Sequence, residues 1–169
     1  MSLSDKLTPA LNPLPVYQPG RPIEEVAREI GFDSETAIKL ASNENALGPS
    51  PLAAAAMQDA VSQMHVYPDG GGYYLIEALA ERLAVPRDSI VLTNGSNEGI
   101  EFLVHVFLSR GDAIVIPEHA FVIYQLCAAL FQADTIAVPM REHRHDLDAM
   151  RGAITDKTRL VFIANPNNP

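Results

Sequence analysis

Three short stretches of this chain carry residue types suited to holding one small ligand. The first, Thr93-Asn94-Gly95-Ser96-Asn97-Glu98-Gly99, lies between an apolar run and a helical stripe. Glycine lets the backbone turn sharply there, and the free N–H groups of a first helical turn, with the helix dipole behind them, can hold an anion that Ser96 completes with its hydroxyl. The same turn also reads as an ordinary helix start capped by Ser96 or Asn97. Glu98 suits the dipole but would repel a phosphate, so its carboxylate is expected to point away. The second stretch, Glu118-His119-Ala120-Phe121 with Tyr124, follows a strand-like run. An aromatic ring at that place either covers a flat heterocycle, gaining about 0.5–1.5 kcal/mol beyond its burial, or packs into the core. The third, Asn165-Pro166-Asn167-Asn168-Pro169, follows another strand-like run. Its amides could hydrogen-bond a phenolic or carbonyl oxygen, and by itself it is a turn, since proline excludes helical backbone from the residue before it. A phosphate clamp, a stacking ring and an amide donor at consecutive strand ends describe a phosphorylated aromatic cofactor.

Other candidates are weaker. No G-x-G-x-x-G follows a strand and no Gly-Lys-Ser/Thr occurs, so neither a dinucleotide fingerprint nor a P-loop is present. Gly70-Gly71-Gly72 reads as a backbone nest for an anion or as a flexible loop before a helix. The five histidines show no spacing suited to a shared metal, and His143-x-His145 in a charged loop reads as solvated surface. Glu24-Glu25 and Glu98 with Glu101 read as helix-surface carboxylates. The single cysteine, Cys127, excludes an internal disulfide framework and a cysteine metal site, and its place in the stripe Ile123, Leu126, Cys127, Leu130, Phe131 marks a buried packing thiol.

A net charge of -9 with twelve scattered basic residues argues against a nucleic-acid partner. No stretch approaches the roughly 18 apolar residues of a membrane span, and residues 1–20 lack a basic segment followed by an apolar one, which makes the cytoplasm the expected location.

The elements that must position these groups follow from periodicity. Residues 1–21, with Pro9, Pro13, Pro15, Pro19 and Gly20, form an extended arm. A helix over 22–31 ends at Gly31, a short extended piece covers 38–40, and Ser50-Pro51 opens an alanine-rich helix to about Met64. Tyr67–Gly72 breaks the chain before a helix that stops ahead of Pro86. Strands are then expected at 90–92, 113–117, 134–139 and 159–164, separated by helices from about 97, around Cys127 and over 146–153. Strand alternating with helix predicts an α/β fold with a mostly parallel sheet flanked by helices. The boundary is placed at residue 50, with an arm, a short helix and an extended segment in 1–50 and an incomplete α/β domain in 51–169.

As an ordered set, Gly20-Arg21-Pro22-Ile23-Glu24-Glu25-Val26-Ala27-Arg28-Glu29, Lys39–Asn45, Gly48-Pro49-Ser50-Pro51, Tyr67-Pro68-Asp69-Gly70, the Asn94–Glu98 turn, Phe121-x-x-Tyr124 and Asn165–Pro169 resemble the N-terminal half of fold-type I pyridoxal-phosphate aminotransferases, most closely the histidinol-phosphate aminotransferases. The resemblance implies that Gly95, Ser96 and Asn97 hold the cofactor phosphate, that Phe121 stacks on the pyridine ring, and that Asn168 hydrogen-bonds the ring hydroxyl. It implies that Tyr67 reaches the phosphate in the other subunit of a homodimer, and that Asn43, Glu44 and Asn45 line the substrate pocket. The implied reaction moves an amino group from histidinol phosphate to 2-oxoglutarate, a step of histidine biosynthesis. The family's Schiff-base lysine, the aspartate facing the pyridine nitrogen and the substrate arginines lie beyond residue 169, and Lys6, Lys39 and Lys157 match no catalytic position. The chain by itself is therefore expected to be a truncated, inactive piece. The alternatives are an aromatic aminotransferase, a threonine-phosphate decarboxylase, or a half-length module that binds phosphorylated ligands.

Overall fold

The computed structural model describes residue 6, residues 20–40 and residues 42–169. The arm expected over 1–21 lies, apart from Lys6, Gly20 and Arg21, outside the described residues. Apart from Lys6, the described residues fall into two compact units, one over 20–90 and the other over 91–169.

In the first unit α1 spans Ile23–Ile30 and ends at Gly31, whose φ of 75° is the left-handed cap expected of a glycine there. Helix α2 (Pro51–Ala60) has Pro51 at its first position, where a missing N–H costs nothing, and runs into a single 3-10 turn, Val61–Gln63. Asp69 then organises the glycine loop: its carboxylate accepts the N–H groups of Gly71 and Tyr73, which starts α3 (Tyr73–Leu83). That carboxylate occupies the loop's own donors, which favours the reading of Gly70–Gly72 as a helix entry over that of an anion nest.

The second unit is a three-stranded parallel sheet in the order β2-β1-β3, where β1 is Ala113–Pro117, β2 Asp134–Val138 and β3 Thr158–Val161. Helices α4 (Gly95–Phe107), α5 (Ile123–Leu130) and α6 (Leu147–Gly152) alternate with these strands, so the α/β expectation holds. All five residues of β1 are buried, because a central strand between two helical layers has no wet face. Successive side chains of a strand point to opposite faces, and β1 uses both. Ile114 and Ile116 pack with Ile100, Val104 and Leu108 from α4 and its end and with Cys127 and Ala128 of α5, while Val115 packs with Val138 and Met150 on the other side.

The run Ile90–Leu92 differs from expectation. It is extended but pairs with no strand among the described residues, and Val91 is exposed. Apolar composition is only half of a strand; the other half is a neighbour's edge in reach, and none of the three described strands pairs with this run.

Cys127 is buried, as its stripe predicted. Burial, and after it the Glu101 charge, pushes its thiol up from the usual range. Since the folded state holds the proton more tightly, this group's contribution is intact below the unfolded thiol's pKa and is lost as pH rises from there through the higher folded value. Iodoacetamide at pH 8 should modify native Cys127 at least about 10-fold more slowly than the denatured chain, read by mass spectrometry; equal rates would show an accessible thiolate.

Candidate active site

Helix α4 and strand β1 are joined by a tight turn in which Asp112 accepts the Ser109 N–H at 2.8 Å. A helix that packs along the next strand across so short a link runs antiparallel to it. With about 20 Å of helix against about 17 Å of strand, the start of α4 comes level with the carboxyl end of β1. The segments after β1 and after the parallel β3 leave from that same edge. Ser96, Phe121 and Asn168 are thereby assigned to one rim of the second unit, where ligands of open α/β sheets gather.

Asn94 is the N-cap of α4, so the helix opens two residues earlier than the spacing predicts. Gly95 follows with a φ of 77°, a left-handed conformation that glycine adopts without a Cβ clash. Its N–H turns back onto the Thr93 carbonyl at 2.9 Å. The next two N–H groups, of Ser96 and Asn97, meet no acceptor among the described residues. Both residues are exposed. Glu98 folds back over the cap: its Oε2 accepts the Asn94 N–H at 2.6 Å, and the Asn94 amide donates to both carboxylate oxygens at 3.2 and 3.3 Å. The carboxylate is thus engaged by the residue before the glycine, and two N–H donors with a hydroxyl beside them remain for an anion.

Phe121 is half-buried and meets Tyr124 edge-on at 6.0 Å. Tyr124 in turn stacks on Phe162 at 4.3 Å with 15° between the rings. Packing against the first core cluster is the core reading of Phe121, and the half-buried ring leaves part of its surface open. Nothing in the sequence singled out Phe162, although its place just after an apolar strand is a signal for it.

The terminal turn is tied to this loop. Asn167 Nδ2 donates to the His119 carbonyl at 2.7 Å, and His145 Nε2 donates to the Ala164 carbonyl at 2.7 Å. Reading His145 as solvated surface is therefore a mistake: the loop it sits on folds over the end of β3 and half-buries the ring, whereas His143 two residues earlier is exposed. Asn168 is exposed and free of protein partners among the described residues. A small cavity of about 250 Å³ lies beside the turn, lined by His119, Met140, His143, Asn167 and Pro169.

The other expected site residues belong to the first unit. Tyr67 is 98% exposed. Glu44 pairs with Lys39, and Asn45 makes a local turn, donating to the Gly48 carbonyl at 3.0 Å and accepting the Leu47 N–H at 3.1 Å. Asn43 is exposed. No cluster of metal-binding side chains occurs among the described residues, and no described helix is long and apolar enough to cross a membrane.

The sequence model of the aminotransferase class I and II family matches residues 35–169. The chain belongs to that family. It is 48% identical over 169 residues to histidinol-phosphate aminotransferase 2 of Nitrosospira multiformis, covering all of this chain and 43% of that protein. It is 51% identical over 153 residues to histidinol-phosphate aminotransferase of Methylobacillus flagellatus, covering 90% and 41%. Among solved structures it is similar to histidinol-phosphate aminotransferase from Sinorhizobium meliloti in complex with pyridoxal-5'-phosphate, with a TM-score of 0.82 at 25% identity over 97% of this chain and 43% of that one. The chain thus spans less than half the length of these aminotransferases.

Proposed function

We propose that this chain supplies the cofactor-phosphate half of a pyridoxal-phosphate aminotransferase whose amino donor is histidinol phosphate and whose acceptor is 2-oxoglutarate. The observation that supports this reading is the pair of unengaged N–H groups at Ser96 and Asn97 at the start of α4, together with a half-buried aromatic ring after β1 and an exposed amide after β3. These residues fit the cofactor. Two backbone donors, a hydroxyl and a helix dipole suit a phosphate dianion, the Phe121 ring suits a pyridine face, and the Asn168 amide suits a ring hydroxyl. When bound, pyridoxal phosphate supplies an electron sink for the bond changes at the amino carbon.

The chain's own residues then bind and orient. Ser96 and Asn97 anchor the phosphate, Phe121 sets the tilt of the ring, and Asn168 holds its hydroxyl side. In the full-length homodimer we assign Tyr67 to the partner protomer's phosphate, Asn43–Asn45 to the substrate pocket, residues 1–50 to an arm and pocket-forming part, and 51–169 to the cofactor domain. The cytoplasm is the proposed location. The lysine that carries the cofactor is assigned to the rest of the enzyme. Equimolar pyridoxal phosphate followed by borohydride and peptide mapping should therefore leave Lys6, Lys39 and Lys157 unlabelled, while the full-length enzyme is labelled once and transaminates histidinol phosphate. Stoichiometric labelling of one of those three lysines, or a full-length enzyme inert to histidinol phosphate, would sink the reading.

A further inference from the structure

The turn Asn165–Pro169 offers two adjacent amides, and the proposed function uses only the second. Asn167 faces inward. Its Nδ2 donates to the His119 carbonyl at 2.7 Å, a contact across 48 positions that joins the terminal turn to the loop carrying Phe121. The acceptor is a carbonyl, so the amide's orientation is fixed: nitrogen toward His119, oxygen away. That oxygen is buried and finds no donor among the described residues. With the nitrogen engaged and the oxygen enclosed, the side chain keeps one orientation in this turn, and the bond it makes is the turn's link to the Phe121 loop. The second tie, His145 Nε2 to the Ala164 carbonyl at 2.7 Å, fixes the other side of the turn. Between them the two bonds set the path of residues 164–167, and hence where the next amide points.

We propose that Asn167 is a positioning residue: by clamping the turn to the His119 carbonyl it fixes Asn168 relative to the Phe121 ring, so that one ligand meets both. This rests on the proposed cofactor site. The bond gives a fixed distance between an amide donor and an aromatic face that come from different strand ends. Without it, Asn168 samples several directions and contributes less to binding.

The test is a double-mutant cycle in the full-length enzyme, using Asn167→Ala, Asn168→Ala and the pair, with pyridoxal phosphate affinity measured by equilibrium dialysis and the pH titration of the bound cofactor's visible band as second readout. Asn167→Ala should weaken binding about 5-fold and shift the band titration in the same direction as Asn168→Ala does. In the Asn168→Ala background the further loss should fall below about 2-fold, because the residue acts through its neighbour. Asn167→Asp keeps the shape but cannot donate to a carbonyl, so it should match Asn167→Ala. Strictly additive losses with an unmoved titration would show a merely structural amide and overturn the inference while leaving the cofactor site standing. A wild-type enzyme with no affinity for pyridoxal phosphate would overturn the proposed function and this inference together.

Discussion

Replacing Gly95 with valine should weaken pyridoxal phosphate binding to the full-length enzyme by at least about 10-fold, with Gly95→Ala less severe and Gly95→Asn nearly neutral. The argument is dihedral. A Cβ built on Gly95 meets nothing within 4 Å, so there is room for a side chain, yet φ is 77°. An L-residue in the left-handed region costs about 1–2 kcal/mol, least for asparagine and most for β-branched residues. That strain is relieved by rotating the peptide toward ordinary helical values, which swings the Ser96 and Asn97 N–H groups away from a common point. A difference of about 1.4 kcal/mol is tenfold in affinity. The predicted order, asparagine then alanine then valine, separates this cause from simple crowding, which would follow side-chain volume alone. Unchanged affinity in Gly95→Val, with the strain appearing only as a lowered melting temperature, would mean that the left-handed start does not aim the donors.

How far the sequence could be read depends on what each feature requires. Ile114, Val115 and Ile116 were legible because a strand covered on both faces needs nothing beyond an unbroken apolar run, and the helical stripe through Cys127 needs only its own spacing. Ile90–Leu92 has the same texture and fails as a strand, since pairing is a property of two segments and no local pattern reports the second. The candidate site divides the same way. A glycine before Ser96 announces a sharp turn, but not that Asn94 and Glu98 close it between themselves. Two neighbouring asparagines announce amides, but not which of them turns inward to bond a carbonyl 48 positions away. His143 and His145 have the same type and nearly the same neighbours; only the fold of their loop over β3 separates an exposed ring from a half-buried one.

The 169-residue chain should associate with itself at tens of micromolar, and Val106→Lys should weaken that association about 10-fold or more. Val91 and Val106 are 75% and 73% exposed, and Phe102, Leu103 and Phe107 each show two-fifths or more of their surface. Val91, Ile100, Phe102, Leu103 and Val106 line a groove of about 450 Å³ along α4, an apolar surface larger than isolated exposed residues explain. Water contact with such a face is relieved when a second copy covers it. Burying one valine side chain gains about 1.5–3 kcal/mol, which is a factor of ten or more in an association constant. Lysine is a good helix former, and a residue already exposed contributes little to folding, so Val106→Lys should change unfolding free energy by no more than about 0.5 kcal/mol. Sedimentation velocity on both proteins separates the outcomes. A wild-type chain that stays monomeric at those concentrations would show that this exposed face does not drive self-association, and an associating Val106→Lys chain would place the contact elsewhere, with the outer edges of β2 and β3 next to be tested.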